Sequence, residues 1–480
     1  MSNSNSLARN RRLWVRSGAV ISAVGMLSMF SVAATSVRSP VASAKKISLS
    51  IGGWPAKTNK SGIVEYNAYT SAFEKLYPNV KIVPDSLTWW SDGAAPFYAA
   101  AAAGQLPNFN TVPFTDPKRM IEQGYARPIG PQLKEAGWLK YLKPAYLAIT
   151  SQNGKIYGVP DGAYTMGLLV NIDVFKKAGL MSKSGVPEFP KTWAQLAQDA
   201  VIIKKKTGAV GFFFPTTDNQ GGWQFDDIAW AYGMKAETKV KGKWEATFDD
   251  AGGVAALQYL KNLRWKYNVL EPNVLGTVNN AQQLAGTNDL GMYLGTPGYQ
   301  NGSIQNYHMP VNDAGEGQMP GGPDGIHAQT GGAVVMFSAK STNAQVLAGL
   351  NWLAVTGFSP NASKTVLQGF KEGLITSKKL GLSIGPQNTT VWKADAPVVQ
   401  AENKLNAQYT NVTMAYWNDY LDHSSQDIQA EPPVDAQEYY AVLDGAIQEV
   451  LTNKNANPKA VLQKAAADFQ STYLNAFNAQ

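Results

Sequence analysis

The sequence predicts an α/β protein with two large lobes, and three observations support this prediction. The chain has 480 residues, more than one ordinary hydrophobic core accommodates. Apolar residues make up 44% of the chain, enough for substantial cores. Short β-prone runs alternate with helical patterns along the sequence, an order typical of parallel sheets flanked by helices.

The first 44 residues have the composition of an export signal. An arginine-rich start, Arg9–Arg16, precedes the uncharged apolar stretch Gly18–Ala34, and Ala42–Ala44 offers a cleavage site. We predict that residues 1–44 are a signal peptide and that the protein is exported, to the extracellular space or the cell surface. A retained signal would instead act as a membrane anchor. The pair Arg11-Arg12 fits a twin-arginine signal or a general secretion signal equally well.

The charge of the mature chain is nearly balanced. Residues 1–44 contain five of the 42 basic residues and no acidic one, which leaves 37 basic against 35 acidic residues. This balance does not support a nucleic-acid-binding protein. The absence of cysteine excludes disulfides, thiolate metal sites and a cysteine nucleophile. No later segment has 18 uninterrupted apolar residues, so we expect the mature chain to be soluble.

Strands and helices alternate from the start of the mature chain. Lys46–Gly53 predicts a strand, residues 62–77 a helix and Val80–Val83 a second strand, which together form a βαβ unit. An alanine-rich helix, Ala94–Ala103, and a third strand, Phe109–Phe114, follow. This order predicts a parallel sheet.

The middle and end of the chain continue the α/β pattern. Pro160 separates two predicted strands, and the second, Met166–Val170, has the continuous apolar run of a strand buried on both faces. Residues 310–332 are predicted to be a loop and residues 376–435 to be irregular. Further strands are predicted at Phe212–Phe214, Leu290–Leu294 and Ala333–Ser338, and further helices from Thr192, at 222–233, Val254–Tyr267 and Asn343–Val355, after Pro433 and from Pro458.

The usual signatures of an enzyme are absent from the sequence. His308, His327 and His423 lack metal-ligand spacing, and there is no nucleophile elbow, phosphate-binding loop or dinucleotide fingerprint. We therefore predict no catalytic residue, no metal site and no cofactor. Two carboxylates that flank a glycosidic bond can lie far apart in sequence, so a secreted glycan-active enzyme stays an alternative.

Aromatic residues are abundant, and many lie where a strand ends or a glycine-rich turn begins. The chain has 13 Trp, 21 Tyr and 17 Phe. Ligands of α/β sheets bind at the carboxyl ends of strands, and flat rings cover the apolar faces of sugars while Asp, Asn and Gln bond the hydroxyls. As a group these rings indicate a neutral, hydroxyl-rich ligand, although any one of them can be a core residue. They are Trp54, Trp89, Trp90, Tyr164, Trp223, Trp230, Tyr299, Trp417 and Tyr439.

Five stretches occur in a recognisable order along the chain. They are SAFEKLYPNVKI, GKIYGVP with LLVNIDVFKKAGL, PKTWAQL, GGAVVMFSAKSTNAQVLAGLNWLAVTG and LDGAIQEVLTNKNANPKAVLQKAAADF. Together they resemble family 1 extracellular solute-binding proteins of ABC importers, the maltose-binding-protein type, and the resemblance covers nearly all of residues 46–470. It implies a periplasmic-binding-protein-like fold, in which two discontinuous α/β lobes are joined by hinge segments and close on a ligand.

The resemblance also implies lobe boundaries. Residues 45–160 with 331–375 would form the N-terminal lobe, and residues 161–330 with 376–480 the C-terminal lobe. The chain would cross between them near Val159–Leu169, near Gly331–Ser338 and around residues 370–385. Pro160 and Gly162 are then hinge candidates.

The ligand-binding residues implied by the resemblance come from both lobes. Asp116 matches an acidic residue that bonds sugar hydroxyls, and Trp54 falls in a ligand-contacting loop. Tyr164 lies in a crossing segment that often offers a polar contact. Trp223, Tyr299 and Tyr439 match positions of stacking aromatics, and the pair Trp89-Trp90 and Trp417 are further candidates without a secure counterpart.

The resemblance implies a monomeric, non-enzymatic receptor that delivers a sugar or oligosaccharide to a membrane permease. The same fold could bind a polyamine, a glycerol phosphodiester or a metal chelate instead. After Arg38 only Arg119, Arg127 and Arg264 remain, which argues against a phosphate ligand. A cationic ligand stays open because Asp116, Asp161 and Asp226 could face it. The absence of a cysteine for lipid attachment leaves retention at the cell surface open.

Overall fold

The computed structural model describes residues 45–385, 391–423 and 428–479, so the predicted signal peptide lies outside the described residues. The strands are β1 Ile47–Ile51, β2 Val80–Pro84, β3 Phe109–Pro113, β4 Ser151–Gln152, β5 Lys155–Ile156, β6 Gly158–Thr165, β7 Gly167–Asn171, β8 Val210–Phe213, β9 Glu237–Val240, β10 Lys243–Ala246, β11 Leu290–Gly295, β12 Ala314–Gly317, β13 Ala328–Phe337 and β14 Ile428–Ala430.

The helices surround two sheets. They are α1 Lys60–Leu76, α2 Trp89–Asp92, α3 Ala94–Ala102, α4 Pro117–Glu122, α5 Gly130–Glu135, α6 Pro144–Ile149, α7 Ile172–Ala178, α8 Trp193–Thr207, α9 Gln220–Ala231, α10 Ala251–Trp265, α11 Val278–Gly286, α12 Tyr299–Tyr307, α13 Asn343–Val355, α14 Lys364–Lys379, α15 Pro397–Asn406, α16 Asn418–His423, α17 Ala436–Thr452, α18 Pro458–Phe469 and α19 Asn475–Asn478. Within the described ranges no helix combines the length and apolar character needed to span a membrane.

The first lobe is built on a six-stranded sheet. Its order is β2-β1-β3-β13-β14, and β6 pairs with β13 on the other side. The predicted βαβ unit is confirmed, since β1 and β2 pair in parallel with Ile47 opposite Val80. Apolar residues at alternate positions, such as Leu49 and Ile51 of β1, face a core that also includes Phe73 of α1.

The second lobe is built on a four-stranded sheet in the order β12-β7-β11-β8. The prediction of a strand buried on both faces is confirmed for β7. Leu168 and Val170 join the large core beneath α8, α9, α10 and α17, whereas Leu169 points to a smaller cluster on the opposite face with Tyr293 and Trp417.

Two long strands run side by side between the lobes. β6 and β13 pair antiparallel from Thr165 opposite Thr330 to Gly158 opposite Met336. They approach so closely that a Cβ atom at Gly332 would lie 2.0 Å from the carbonyl oxygen of Gly162. Two of the three predicted crossing segments, near Val159–Leu169 and near Gly331–Ser338, overlap this paired ribbon, which ends next to β7. The third, around residues 370–385, lies outside it.

Two regions contain more regular structure than the sequence predicts. β12 lies in the predicted loop 310–332, and β13 begins at Ala328 rather than Ala333. The sequence of β12, Ala-Gly-Glu-Gly, has low β-propensity, and its pairing with β7 rather than its composition makes it a strand. Likewise α15, α16 and β14 lie in the region 376–435, predicted to be irregular.

The lobe boundary placed at residue 376 needs correction. Val391 to Val399 pack into the core of the first lobe, although this range was assigned to the C-terminal lobe. On the N-terminal side of this range, the backbone N–H of Ser383 donates to Asn301 of α12 in the second lobe. On its C-terminal side, Val412 packs in the smaller cluster of the second lobe. We therefore propose that the chain returns to the first lobe after residue 385 and leaves it between residues 399 and 412.

The lobes touch at a rim formed by α4 and the β9–β10 hairpin. The Glu122 carboxylate of the first lobe accepts from Lys239 Nζ at 2.8 Å and from the indole nitrogen of Trp244 at 3.3 Å. Burial raises the pKa of Glu122, but these two partners outweigh burial and hold the pKa below its usual value. This contact can form only while the lobes are closed on each other.

Replacing Glu122 by glutamine should weaken closure. The variant loses the charge that pairs with Lys239, and because Lys239 is partly exposed we expect a 2- to 5-fold weaker ligand affinity, about 1 kcal/mol or less. Small-angle X-ray scattering of the unliganded variant should give a larger radius of gyration. Glu74→Gln is the matched control, because the Glu74–Lys81 ion pair lies within the first lobe. Equal effects of both variants would contradict a role of the rim contact in closure.

Candidate functional site

The candidate site lies where two strands of the first sheet end against β13. β3 runs antiparallel to β13 and reaches Pro113 opposite Ala333, whereas β14 runs parallel to β13 and reaches Ala430 opposite Thr330. The two strands therefore approach each other along the same side of β13. The residues that follow them, Asp116 and Glu431, meet at this point, and the Asp116 carboxylate is close enough to raise the pKa of Glu431.

Asp116 is buried at the start of α4 and is held by neighbouring hydroxyls. The Tyr98 hydroxyl donates to Oδ1, and the Thr115 hydroxyl donates to Oδ2 at 2.7 Å. The buried indole nitrogen of Trp89 also lies near this carboxyl. Burial raises the pKa of Asp116, and these neighbours together with the Arg119 guanidinium oppose the increase. Asp116 is thus a positioned carboxyl whose charge is only partly compensated.

Glu431 and Tyr164 meet above a glycine of β13. A Cβ atom at Gly331 would lie 2.0 Å from the Tyr164 hydroxyl and 2.8 Å from Glu431 Oε2. The Tyr440 hydroxyl donates to Glu431 Oε1 at 3.2 Å. Burial raises the pKa of Glu431 to about 7, and the Asp116 carboxylate adds to this increase. Only glycine leaves room for both side chains at position 331.

Three aromatic rings line the second-lobe side of the site. Trp223 lies edge-on to Tyr164, with ring centroids 6.0 Å apart, and 6.5 Å from the ring of Tyr299. Its indole lowers the pKa of both the Tyr164 hydroxyl and Glu431, so its N–H faces these two groups. All three rings are only partly buried. Together they form an aromatic wall beside the paired carboxyls.

The helix that presents Trp223 is fixed from two directions. Asp444 of α17 accepts from the backbone N–H groups of Asn219 and Gly222, each at 2.7 Å, and so caps the start of α9. Gln329 of β13 donates its side chain to the carbonyl oxygen of Trp223 at 3.1 Å. Trp223 is therefore placed by the hinge ribbon as well as by its own lobe.

The cation closest to the site is Arg119 of α4. It reaches across to the second lobe, pairs with Asp435 at 3.1 Å and lies over the ring of Tyr98 at 3.9 Å. It lowers the pKa of Asp116, Asp435 and Glu438, although burial raises the pKa of all three. Three carboxyls thus surround one guanidinium, and Glu431 lies next to one of them, Asp116.

Four of the predicted ligand-binding residues come together here. They are Asp116, Tyr164, Trp223 and Tyr299. Trp54 packs instead in an aromatic group of the first lobe, 5.1 Å from Tyr66 and 6.4 Å from Trp352 between ring centroids. Trp90 is exposed on α2 beside Trp89, the neighbour that faces Asp116.

Two predicted binding residues are core residues, and their assignment is corrected. Tyr439 is fully buried, donates its hydroxyl to Asp226 at 2.7 Å and packs against Phe248 and Phe469. Trp417 is 2% exposed in the smaller cluster of the second lobe. Neither ring has a face open to a ligand, because each fills the interior beneath the cleft.

Glu431 and Tyr98 are site residues that the sequence did not reveal, and Trp89 was named only as one member of the pair Trp89-Trp90. Tyr98 is the polar aromatic within an alanine-rich helix, a signal that could have marked it. Trp89 could have been preferred to Trp90 because it opens helix α2 directly after its cap, Thr88. Glu431 follows a strand of three residues, too short to recognise in the sequence. In the described parts of the chain, no group of three or more His, Asp and Glu side chains is arranged to hold a metal ion.

The sequence as a whole was compared with known protein families. A family model for bacterial extracellular solute-binding proteins matches residues 59–357, more than half of the chain. The chain belongs to this family. A protein of Brucella abortus (strain 2308) named as a binding protein is 23% identical to this solute-binding protein over 352 residues, which covers 72% of the chain and 75% of the relative.

Solved structures of solute-binding proteins share the two-lobed fold. A cyclic α-maltosyl-1,6-maltose binding protein from Arthrobacter globiformis superimposes with a TM-score of 0.64 at 19% identity, covering 90% of this chain and 100% of the other. UgpB from Mycobacterium tuberculosis, in complex with glycerophosphocholine, gives 0.60 at 16% identity, covering 89% and 98%. At these identities the likeness establishes the fold and leaves the ligand to be argued from the site.

Proposed function

We propose that this solute-binding protein captures a sugar or oligosaccharide between its lobes and delivers it to the permease of an ABC importer. The observation that supports this most is the wall of Tyr164, Trp223 and Tyr299 beside Asp116 and Glu431. Rings of this kind cover the apolar faces of a sugar, and carboxylates accept hydrogen bonds from its hydroxyls. Solved relatives with the same fold are named for binding maltose-type sugars.

Capture and release need no covalent step. The ligand would contact Asp116 and Glu431, which follow strands of the first sheet, and Trp223 of the second lobe, so its binding energy favours the closed arrangement over the open one. The paired strands β6 and β13 would act as the hinge. A closed monomer would then present both lobes to the permease in a fixed relative orientation.

Two other functions fit the site less well. A glycan-active enzyme would need an acid and a base on opposite faces of a glycosidic bond, but Asp116 and Glu431 lie together in one cluster. A glycerol phosphodiester would place its phosphate among several carboxyls, where the one nearby guanidinium is already paired with Asp435. The excess of carboxyls around this paired guanidinium favours a ligand without negative charge.

We also propose that residues 1–44 direct export, as membership of an extracellular family implies for the mature protein. Cleavage of this segment would release the receptor, and its retention would anchor the receptor to the membrane. Mass spectrometry of the protein isolated from its host would distinguish the two, because the cleaved form would begin at Lys45.

Replacing Trp223 by alanine should abolish sugar binding without unfolding the protein. Because the side chain forms the centre of the wall, we expect a loss of affinity of about 30-fold or more. Because it is only partly buried, we expect the variant to stay folded. Thermal shift and calorimetry against a panel of neutral mono- and oligosaccharides measure it. Tyr267→Ala, an exposed tyrosine on the surface, is the control that should bind normally. Wild-type protein that binds no sugar of the panel, or a Trp223→Ala variant that binds normally, would refute the proposal.

A further inference from the structure

The carboxyls of the cleft outnumber its cations. Asp116 raises the pKa of Glu431 and of Glu438, and Asp435 also raises the pKa of Glu438, so these groups lie close together. Among the described residues, Arg119 is the basic group that acts on this cluster, and it is already paired with Asp435. A buried excess of negative charge is stable only if a cation or protons compensate it.

A separate observation points to the same kind of ligand. Asp227 is fully buried. Its Oδ1 accepts from the backbone N–H of Gln329 at 2.7 Å, whereas its Oδ2 has no hydrogen-bond partner within the described residues. It lies one helical turn after Trp223, on the same face of α9, and its charge reaches the Tyr164 hydroxyl. Burial raises the pKa of Asp227 well above its usual value, and a carboxyl oxygen without a partner therefore lies behind the aromatic wall.

The aromatic wall itself favours a positive charge. The faces of Trp and Tyr rings attract ammonium groups, and the attraction grows when the site excludes water. Tyr164, Trp223 and Tyr299 thus provide aromatic rings in the same cleft as the Glu431 carboxyl, which the Trp223 N–H and the Tyr164 hydroxyl approach. Ring faces, carboxylates and hydroxyl acceptors in one cleft match a ligand that has hydroxyls, an apolar ring and a positive charge.

We propose that the solute is a cationic sugar of the amino-sugar class, whose ammonium group lies between Asp116, Glu431 and the ring of Trp223. This inference rests on the proposed function and specifies its ligand. The hydroxyls bond the remaining acceptors, and the sugar ring packs on Tyr299. Glu431 is the residue that selects for a positively charged ligand. It follows β14, close to Asp116, and no basic residue pairs with it in the described structure.

Three matched ligand series test this inference. Cello-, chitin- and chitosan-oligosaccharides share one backbone and differ at C2, which holds a hydroxyl, an acetamide or an amine, respectively. The corresponding monomers are glucose, N-acetylglucosamine and glucosamine. At a pH where the amine is protonated, calorimetry should show that the amine series binds about tenfold tighter or more than the hydroxyl series. Equal or weaker binding of the amine series would overturn the inference and leave sugar binding intact.

Variants of two carboxyls separate charge recognition from folding. Glu431→Gln keeps the shape of the side chain, and it should lose the preference for the amine series while its affinity for the hydroxyl series changes little. Glu402→Gln, on α15, is the control, because burial alone raises the pKa of Glu402 and no group of the site contributes. Circular dichroism confirms folding, and Asp116→Asn is the second variant if Glu431→Gln fails to fold. A preference that survives both site variants would overturn the assignment.

The failure of the proposed function would look different. Binding of spermidine without binding of any sugar series would overturn both the amino-sugar class and the sugar receptor. No binding of spermidine, of any of the three series or of the neutral panel would overturn both as well. Binding restricted to neutral sugars would overturn the inference alone.

Discussion

Replacing Gly331 by alanine should reduce ligand affinity by about 100-fold or more, the largest binding effect we expect from a single methyl group. The new Cβ would lie 2.0 Å from the Tyr164 hydroxyl and 2.8 Å from Glu431 Oε2, distances that atoms do not tolerate. Both side chains must move, and with them the groups that face Trp223. Overpacking of this kind also costs about 1–3 kcal/mol of stability. Calorimetry and chemical denaturation of the variant measure the two effects.

Gly162→Ala is the matched control in the partner strand. Gly162 lies in β6 of the same ribbon, and a Cβ atom there would meet nothing within 4 Å. The variant should therefore bind ligand normally, which also tests whether the hinge needs glycine at this position. Normal affinity in Gly331→Ala would show that Tyr164 and Glu431 are not ligand contacts.

The protein should be more stable in mild acid than at neutral pH. Burial raises the pKa of Asp161, Asp444, Glu402 and Glu431 to about 7, whereas these carboxyls ionise near pH 4 when exposed. The folded protein then binds more protons than the unfolded chain between about pH 4 and 7. The stabilisation that these four protonated carboxyls contribute is complete below pH 4 and is lost as the pH rises through 7. We therefore expect Tm to drop by about 5 °C or more between pH 5 and 8.

Single variants test the origin of this pH dependence. Glu402→Gln removes one of the groups without touching the ligand site, and it should flatten the profile of Tm against pH. Lys464→Met, in an exposed pair with Asp468, should leave the profile unchanged. A wild-type Tm that stays constant or rises between pH 5 and 8 would mean that the buried carboxyls are ionised and compensated in the folded state.

The sequence was sufficient to predict most of the regular fold, because local patterns determine it. The N-cap Thr192, whose side chain accepts from the backbone N–H of Gln195, places the start of α8, and the apolar run of β7 shows that both its faces are buried. The ribbon of β6 and β13 was harder to predict. β13 begins with Ala-Gln-Thr-Gly-Gly, which has little β-propensity, and its first residues become a strand because they pair with β6 and β14.

Site residues were assigned where the sequence resembles the family at recognisable elements. Asp116 follows β3 and Trp223 lies in the first turn of α9, and the resemblance assigned both as ligand contacts, which stays a prediction. Tyr439 and Trp417 could not be separated from binding aromatics, because a ring that fills a core and a ring that lines a cleft have the same local sequence pattern. Glu431 depends on the pairing of β14 with β13, about 100 residues away along the chain, which no local pattern reports.

If ligand closes the two lobes on each other, the distance between the lobes must shorten when ligand binds. The chain has no cysteine, so Lys134→Cys in α5 and Lys205→Cys in α8 place one spin label on each lobe, away from the site. Electron paramagnetic resonance should show a broad or longer distance distribution without ligand and one shorter, narrow distance with the tightest-binding sugar of the panels. An unchanged distance distribution at saturating ligand would contradict closure of the lobes on ligand binding.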